Sequence, residues 1–133
     1  MKNEYFCPAC SNLINVGNNI VLTAQRFNGD SGIIFLDTKL GSYSKVKSSS
    51  LKFENDEVVR IFCPICKKDL LCMPDKNLAR LNMKDDSGEN LTVLFSVKYG
   101  EESTYILQDK TLKEKYGKNA NTSINFEMLS GCK

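Results

Sequence analysis

Two stretches of this chain decide its fold, Phe6-Cys7-Pro8-Ala9-Cys10 and Phe62-Cys63-Pro64-Ile65-Cys66. Each is a Cys-Pro-x-Cys turn behind an aromatic residue, and two residues between the cysteines let both sulfurs point at one centre. Two such turns supply four thiolates, which is the tetrahedral ligand set of structural zinc. The pattern therefore predicts one metal site shared by both turns, with ligands Cys7, Cys10, Cys63 and Cys66.

The two turns resemble the knuckles of zinc-ribbon proteins, in which a leucine follows Cys-Pro-x-Cys after three or four residues. Leu13 and Leu70 stand at that position here. The resemblance, which extends to small uncharacterised bacterial zinc-ribbon proteins, implies a zinc-ribbon-like fold and no particular function. Iron knuckles of the rubredoxin type are also similar, but they usually carry Gly after the second cysteine. This chain has Ser11 and Lys67 there, so the resemblance favours zinc over iron.

Each cysteine pair has a second interpretation as a thiol-disulfide exchange motif. Such a motif normally begins a helix within a βαβ unit, where the helix N-terminus lowers the pKa of the attacking thiol. Both pairs here lead into loop and strand, so metal binding is favoured over redox chemistry. For Cys72 we expect an ordinary buried or half-buried cysteine, with substitution for a ligand or a response to oxidation as the alternatives, and for Cys132 an exposed thiol.

The chain has 133 residues, of which 41% are hydrophobic. This length suits a single zinc-stabilised β domain over residues 1–133. Residues 1–6 contain no apolar signal segment, and the apolar runs are far shorter than the roughly 20 residues of a membrane helix. We therefore expect no membrane partner and a reducing cytoplasm, where paired cysteines more often bind metal.

The formal charge of +2 falls close to zero when four thiolates bind one divalent ion, so the overall charge gives nucleic acid little support. The one local basic stretch runs from residue 39 to residue 52. Basic residues interleaved with an aromatic ring can grip a nucleic-acid backbone and stack on a base, and a solvated surface loop is the other interpretation. The candidate nucleic-acid-binding residues are Lys39, Tyr43, Lys45, Lys47 and Lys52.

Several segments alternate apolar and polar residues and are bounded by turn residues. This pattern predicts a mainly β fold. The continuous apolar run Ile33–Leu36 predicts a central strand, buried on both faces or covered on one face by the second half. In the strand at 77–84, Ala79, Leu81 and Met83 are predicted to face inward. Further strands are predicted at 20–27, 91–99 and 103–108.

Three other predictions concern the parts of the chain outside those strands. The acidic turn Glu54–Glu57 predicts a hairpin that leads into the second knuckle. Residues 109–116 predict a short C-terminal helix ended by Gly117. Alternation at Ile124, Phe126 and Met128 predicts an edge strand.

The chain also has the pattern of an internal repeat, with predicted units at 6–44 and 62–105, and chance recurrence of common turn residues is the alternative. Both the Cys-Pro-x-Cys pattern and the tripeptide Asp30-Ser31-Gly32 return 56 residues later, the latter as Asp86-Ser87-Gly88. Each unit consists of knuckle, strand, turn and strand. One knuckle leaves an ion half coordinated and one hairpin is marginal alone, so we expect two knuckle-plus-hairpin units packed around one four-cysteine metal site.

The sequence offers little for catalysis. It contains no His, which removes the commonest general base at neutral pH. Four sulfurs around one ion leave no open position for a reactive water. We therefore predict a non-enzymatic protein with one structural Zn²⁺ per chain, no small-molecule substrate, and a protein-interaction or adaptor role. A nucleic-acid-binding zinc ribbon is the alternative, and a thiol-disulfide redox protein is less favoured.

Overall fold

The computed structural model describes residues 3–37, 45–47, 53–54, 56–73, 77–99, 103–108 and 111–117. The regular elements of these ranges are β-strands, as the sequence predicts. No helix in them has the length and apolar character of a membrane span. The strands are β1 Glu4–Phe6, β2 Asn15–Val16, β3 Asn19–Gln25, β4 Ser31–Asp37, β5 Lys45–Lys47, β6 Arg60–Phe62, β7 Leu71–Met73, β8 Leu78–Lys84, β9 Asn90–Ser96, β10 Thr104–Gln108 and β11 Thr111–Tyr116.

The strands form two antiparallel sheets around one core. The first sheet has the order β2-β3-β4-β5, with β6 also paired to β3, and the second has the order β1-β8-β9-β10-β11, with β7 also paired to β8. Apolar residues of both sheets belong to one buried cluster, because alternate residues of each strand point to the same face. The predicted inward residues Ala79, Leu81 and Met83 are 0%, 1% and 2% exposed, which confirms that prediction.

Each half of the chain, residues 3–47 and 60–117, gives its first strand to the sheet of the other half. Strand β1 pairs with β8, where Tyr5 is opposite Met83. Strand β6 pairs with β3, where Ile61 is opposite Ala24. Neither sheet is therefore complete without a strand from the other half.

The strand pairing of the first half recurs in the second half. The offset is 56 residues through the knuckles and 59 residues from β3 onward, because β7 and its connection to β8 together are three residues longer than β2 and its connection to β3. Residues that are related by these offsets pair with partners that are related by the same offsets. Examples are the bridges Phe6↔Leu13 and Phe62↔Asp69, the pairs Leu22↔Ile34 and Leu81↔Val93, and the pairs Phe35↔Val46 and Leu94↔Tyr105.

The two Asp-Ser-Gly tripeptides do not occupy matching positions, so their shared offset of 56 is a coincidence. Asp30 ends the first turn, and Ser31 and Gly32 already pair within the β3-β4 hairpin. Residues 86–88 instead lie inside the second turn. The matching residues are Gly29 and Gly88, which have positive φ angles of 95° and 85° and donate hydrogen bonds to the carbonyls of Arg26 and Asp85.

The predicted C-terminal helix over 109–116 is wrong, because residues 111–116 form β11 and pair with β10. The helix-favouring Lys and Glu residues of this stretch are overridden by the open edge of β10, whose backbone groups need partners. Strand β4 does lie inside its sheet, but only one face is buried. Ile34 is 5% exposed whereas Ile33 is 37% exposed.

The predicted turn before the second knuckle is present, since the Glu57 amide donates to the Glu54 carbonyl at 3.1 Å. The strand that follows this turn pairs with β3 of the first half. The edge strand predicted at residues 124–128 lies outside the described residues.

Candidate metal centre

The two knuckles have the same backbone geometry. In the first, the Cys7 carbonyl accepts a hydrogen bond from the Ser11 amide at 2.9 Å, and in the second, the Cys63 carbonyl accepts one from the Lys67 amide at 3.0 Å. Ser11 and Lys67 have positive φ angles of 62° and 66°. Both residues stand where iron knuckles usually carry Gly, and both have the left-handed backbone conformation. For a residue with a side chain, this conformation costs about 1–2 kcal/mol of free energy.

The knuckles bring all four predicted ligands together. Their sulfur atoms lie within 4.8 Å of one another. The Cys7 and Cys66 sulfurs are 3.7 Å apart, and the Cys10 and Cys63 sulfurs are 3.8 Å apart. Four sulfurs at about 2.3 Å from a zinc ion are separated by about 3.8 Å along each tetrahedron edge, whereas a disulfide needs about 2.05 Å. The cluster therefore fits a tetrahedral metal ion.

Backbone amides surround the first sulfur of each knuckle. The Cys7 sulfur accepts hydrogen bonds from the Ala9 and Cys10 amides at 3.3 and 3.4 Å. The Cys63 sulfur accepts the corresponding bonds from the Ile65 and Cys66 amides at 3.4 and 3.5 Å. These donors stabilise negative charge on sulfur, so the knuckle backbone is arranged for thiolates.

Burial divides the ligands into an inner and an outer pair. Cys7 and Cys63 are 0% exposed, Cys10 is half-buried and Cys66 is exposed. Burial raises the pKa of Cys7 to about 12 and also raises the pKa of Cys63, so a nearby cation is needed to hold both inner sulfurs as thiolates. The Asn12 backbone amide is the main cause that lowers the pKa of Cys10 to about 6.

The base of each knuckle is fixed in the core by an equivalent hydrogen bond. The Ile14 amide donates to the Tyr5 carbonyl, and the Leu70 amide donates to the Ile61 carbonyl, both at 2.9 Å. These four residues are no more than 5% exposed and belong to the core cluster that also contains Cys7 and Cys63. Packing therefore holds both inner sulfurs in place.

Two polar contacts were missed by the sequence analysis, and only the first touches a cysteine of the cluster. The Asn12 side-chain amide donates to the Cys10 sulfur at 3.4 Å, and Asn at this position carries no recognisable sequence signal. Arg26 makes a two-pronged ion pair with Glu57, with its Nε 2.9 Å from Oε2 and its Nη2 3.0 Å from Oε1. This pair links the β3-β4 turn to the segment before β6. Arg26 and Glu57 are too far apart in the sequence for a local pattern to predict their contact.

The other singled-out residues lie away from the cluster or outside the described residues. Lys39, Tyr43 and Lys52 are outside those residues, as is Cys132. Lys45 and Lys47 belong to β5, which pairs with β4. Cys72 lies half-buried on β7 and is disulfide-bonded, so it is not a substitute ligand.

Comparison with known proteins adds no family to this geometry. No protein-family model, curated protein or solved structure matches the chain. The finding at this centre is a four-cysteine cluster that could hold a metal ion.

Proposed function

We propose that the cluster holds one Zn²⁺ per chain as a structural ion, and that the chain acts as a non-enzymatic protein-interaction module. The observation that carries this proposal is the tetrahedral spacing of four sulfurs, two from each half of the chain. An ion bound by these sulfurs joins the two halves next to β1 and β6, the strands that each half contributes to the sheet of the other. Its binding energy then contributes to folding, on the order of 10 kcal/mol in small zinc domains.

The ligand set supports a structural role over a catalytic one. Four cysteine sulfurs complete the tetrahedral coordination of zinc, whereas catalytic zinc sites keep one position for water or substrate. The inner cysteines Cys7 and Cys63 are part of the hydrophobic core. An ion bound to them would therefore stabilise the packed core. The four cluster cysteines are free thiols and so are available for the ion, whereas Cys72 is disulfide-bonded, which a reducing cytoplasm disfavours.

Exposed apolar side chains support the interaction role. Phe27 is 76% exposed, Val16 is 70% exposed and Ile65, at the tip of the second knuckle, is 53% exposed. Such side chains mark contact with another protein where they form a contiguous patch.

Elemental analysis of protein purified without chelator tests the metal assignment. We expect about one zinc per chain. A content below about half an equivalent, or iron in place of zinc, would overturn the assignment. Zinc loading at one equivalent is then compared between Cys66→Ser and Ile65→Ser, a change at the neighbouring residue, which is 53% exposed. Only Cys66→Ser is expected to lose zinc.

Affinity capture with and without nuclease tests the interaction role. We expect a partner whose recovery does not change on nuclease treatment. Recovery that disappears with nuclease would instead support the nucleic-acid-binding zinc ribbon and overturn the protein-interaction role.

A further inference from the structure

The second sheet is buried on both of its faces. Val93 and Ile106 belong to the core that the two sheets share. Leu94, Tyr105 and Leu107 alternate with them along β9 and β10, and they belong to a separate cluster in which none is more than 1% exposed. The outer face of this sheet, which points away from the shared core, is therefore also shielded from solvent.

The matching outer positions of the first half are more open. Phe35, the counterpart of Leu94, is half-buried, and Val16, the counterpart of Cys72, is 70% exposed. Packing of the two sheets on each other thus does not by itself bury an outer face. The described residues of the outer cluster all come from the second sheet, from Cys72 on β7 to Leu112 on β11, so their burial requires a further layer of chain.

The disulfide of Cys72 identifies the part of the chain that supplies this layer. The chain has six cysteines. The four cysteines of the metal cluster are free thiols, whereas Cys72, which packs on the outer cluster, is disulfide-bonded. Cys132 is the one cysteine that remains as its partner, and it lies outside the described residues.

We propose that residues 118–132 cross the outer face of the second sheet as a cover fastened by a Cys72–Cys132 disulfide, and that reduction of this bond uncovers the apolar face. The proposal goes beyond the proposed function, because it concerns a second surface and what controls it. Ile124, Phe126 and Met128 alternate with polar residues, so an extended segment would direct all three apolar side chains toward the sheet.

The length of this segment fits the path. It follows β11 at one edge of the sheet and reaches Cys72 on β7, which pairs with β8 near the other edge. Four strand spacings separate β11 from β7, a distance of about 19 Å. Residues 118–132 number 15, and a chain of this length can span up to about 50 Å. The segment can therefore cross the whole outer face without being fully extended.

Reduction of the bond is a thiol-disulfide exchange. A thiolate of a dithiol reductant attacks one sulfur of the Cys72–Cys132 bond, and the second thiol of the reductant then resolves the mixed disulfide. Two electrons and two protons pass to the protein, which gains two thiols, and the reductant becomes a disulfide. A reducing compartment would therefore open the cover, and an oxidising one would keep it closed.

Peptide mapping tests the pairing. The zinc-loaded full chain is equilibrated with oxidised glutathione, its free thiols are alkylated, and the monomer is digested with trypsin. We expect residues 69–76 and 119–133 to be recovered as one linked peptide that separates on reduction. Recovery of Cys72 in any other form would overturn the proposal.

Binding of a dye that fluoresces on apolar surfaces tests the uncovering. A phosphine reductant opens the disulfide without adding thiols that compete for zinc. We expect a several-fold rise in dye fluorescence on reduction. Cys132→Ser should show the same rise without reductant, whereas Ser130→Ala, which keeps the bond, should behave as the natural chain does. Dye fluorescence that does not respond to reduction would overturn control of the face by the disulfide.

A variant that keeps the disulfide tests where the segment lies. Phe126→Ser removes one apolar side chain from the segment, and we expect it to shift the side-chain NMR signals of Leu94 and Leu107 while those of Val93 change little. Unchanged signals of Leu94 and Leu107 would show that residues 118–132 do not cover the outer face.

Zinc content is measured on the same samples. A chain that holds one zinc and whose dye binding ignores reduction contradicts only the cover. A chain without zinc contradicts the proposed function, and the linked peptide and the dye response still decide the cover.

Discussion

Cys63 is the residue whose loss is expected to have the widest effect. Its sulfur is one of the two inner ligands, and it follows β6, which pairs with β3 of the first half. We predict that Cys63→Ser binds less than about 0.1 equivalent of zinc and loses the amide NMR dispersion of Leu22 and Ala24 in the first half, because the ion and the exchanged strand are lost together. Ser11→Ala, an exposed change beside the other knuckle, is the control and is expected to keep both. Retention of a full zinc equivalent by Cys63→Ser would contradict the assignment.

Tyr5 is the residue through which alkaline pH is expected to act. Burial is the main cause that raises the pKa of Tyr5 from 10.0 to about 12, because the phenolate is poorly solvated in the core. The stability from the neutral phenol is complete below pH 10.0 and is lost as pH rises toward about 12. This corresponds to a change on the order of 3 kcal/mol in the free energy of unfolding.

Chemical denaturation at a series of pH values measures this effect. Tyr5→Phe should show a flatter decline than the natural chain between pH 10 and about 12. Parallel declines in the two proteins would mean that another group controls the alkaline transition.

Sequence spacing was sufficient to predict which four cysteines cluster, but not their supporting contacts. Two residues between cysteines fix the geometry of a knuckle locally, so Cys7, Cys10, Cys63 and Cys66 could be paired from the sequence. Asn12 and the Arg26–Glu57 pair depend on where distant turns lie in the folded chain, and that information is absent from local patterns.

At the level of elements, the Arg26–Glu57 ion pair connects a turn of the first half to the segment that leads into β6, the strand that the second half contributes. Both side chains are largely buried, at 12% and 6% exposed. Hydrogen bonds from Arg26 are the main cause that lowers the pKa of Glu57. The pair therefore stabilises the fold above the usual carboxylate pKa, and this stabilisation is lost as pH falls through the lowered pKa.

We predict that Glu57→Gln lowers Tm by several degrees at pH 7, because it leaves the Arg26 charge in a mostly buried place without its partner. Thermal scans should show the difference from the natural chain shrinking as pH falls toward about 4. Asp30→Asn is the control, since Asp30 is 54% exposed and 3.9 Å from Arg26, and we expect it to change Tm little. A Glu57→Gln difference that stays constant with pH would contradict an ionic contribution.

Strands β1 and β6, which each pair with the sheet of the other half, are expected to lose protection from hydrogen exchange together when metal is removed. We predict that a chelator raises amide hydrogen exchange in β1 and β6 in parallel, because each strand leads directly into a knuckle and loses its anchor with the ion. The hairpin of β8 and β9, with seven paired positions, should keep more of its protection. Hydrogen exchange that rises in only one of the two strands would show that the metal does not stabilise both β1 and β6.

Element types were easier to predict than strand partners. The alternation of Ala79, Leu81 and Met83 identified β8, since burial of one face leaves a period of two in the sequence. The assignment of residues 111–116 failed because their local helix preference is weaker than the pairing offered by β10. The exchange of β1 and β6 was not predicted, since no local feature distinguishes a strand that pairs within its own half from one that pairs outside it.

For the whole molecule, the matching of the two halves bears on the predicted internal duplication. Two contacts between the halves have a counterpart with the halves interchanged: β1-β8 matches β6-β3, and the Cys7–Cys66 distance matches the Cys10–Cys63 distance. Such reciprocity is the property of two-fold related units. A duplication with this arrangement makes the order of the two halves along the chain unimportant for the fold.

Circular permutation tests that consequence. We predict that a chain opened between residues 50 and 51, with residue 133 joined to residue 1, folds with one zinc and a Tm within several degrees of the natural chain. A flexible linker of about 20 residues placed between residue 133 and residue 1 can span up to about 66 Å. That exceeds the diameter of about 30 Å expected for a domain of this size, so the connection imposes no strain.

A second permutant, opened between Pro8 and Ala9, keeps the same connection but cuts the first knuckle. The cut separates Cys7 from the amides of Ala9 and Cys10 that bond its sulfur, so this permutant should lose zinc and cooperative unfolding. Zinc analysis and thermal denaturation compare the two proteins directly. If both permutants fail, the order of the halves matters and the two-fold interpretation is wrong, whereas if both retain zinc, the intact knuckle turn is not what holds the ion.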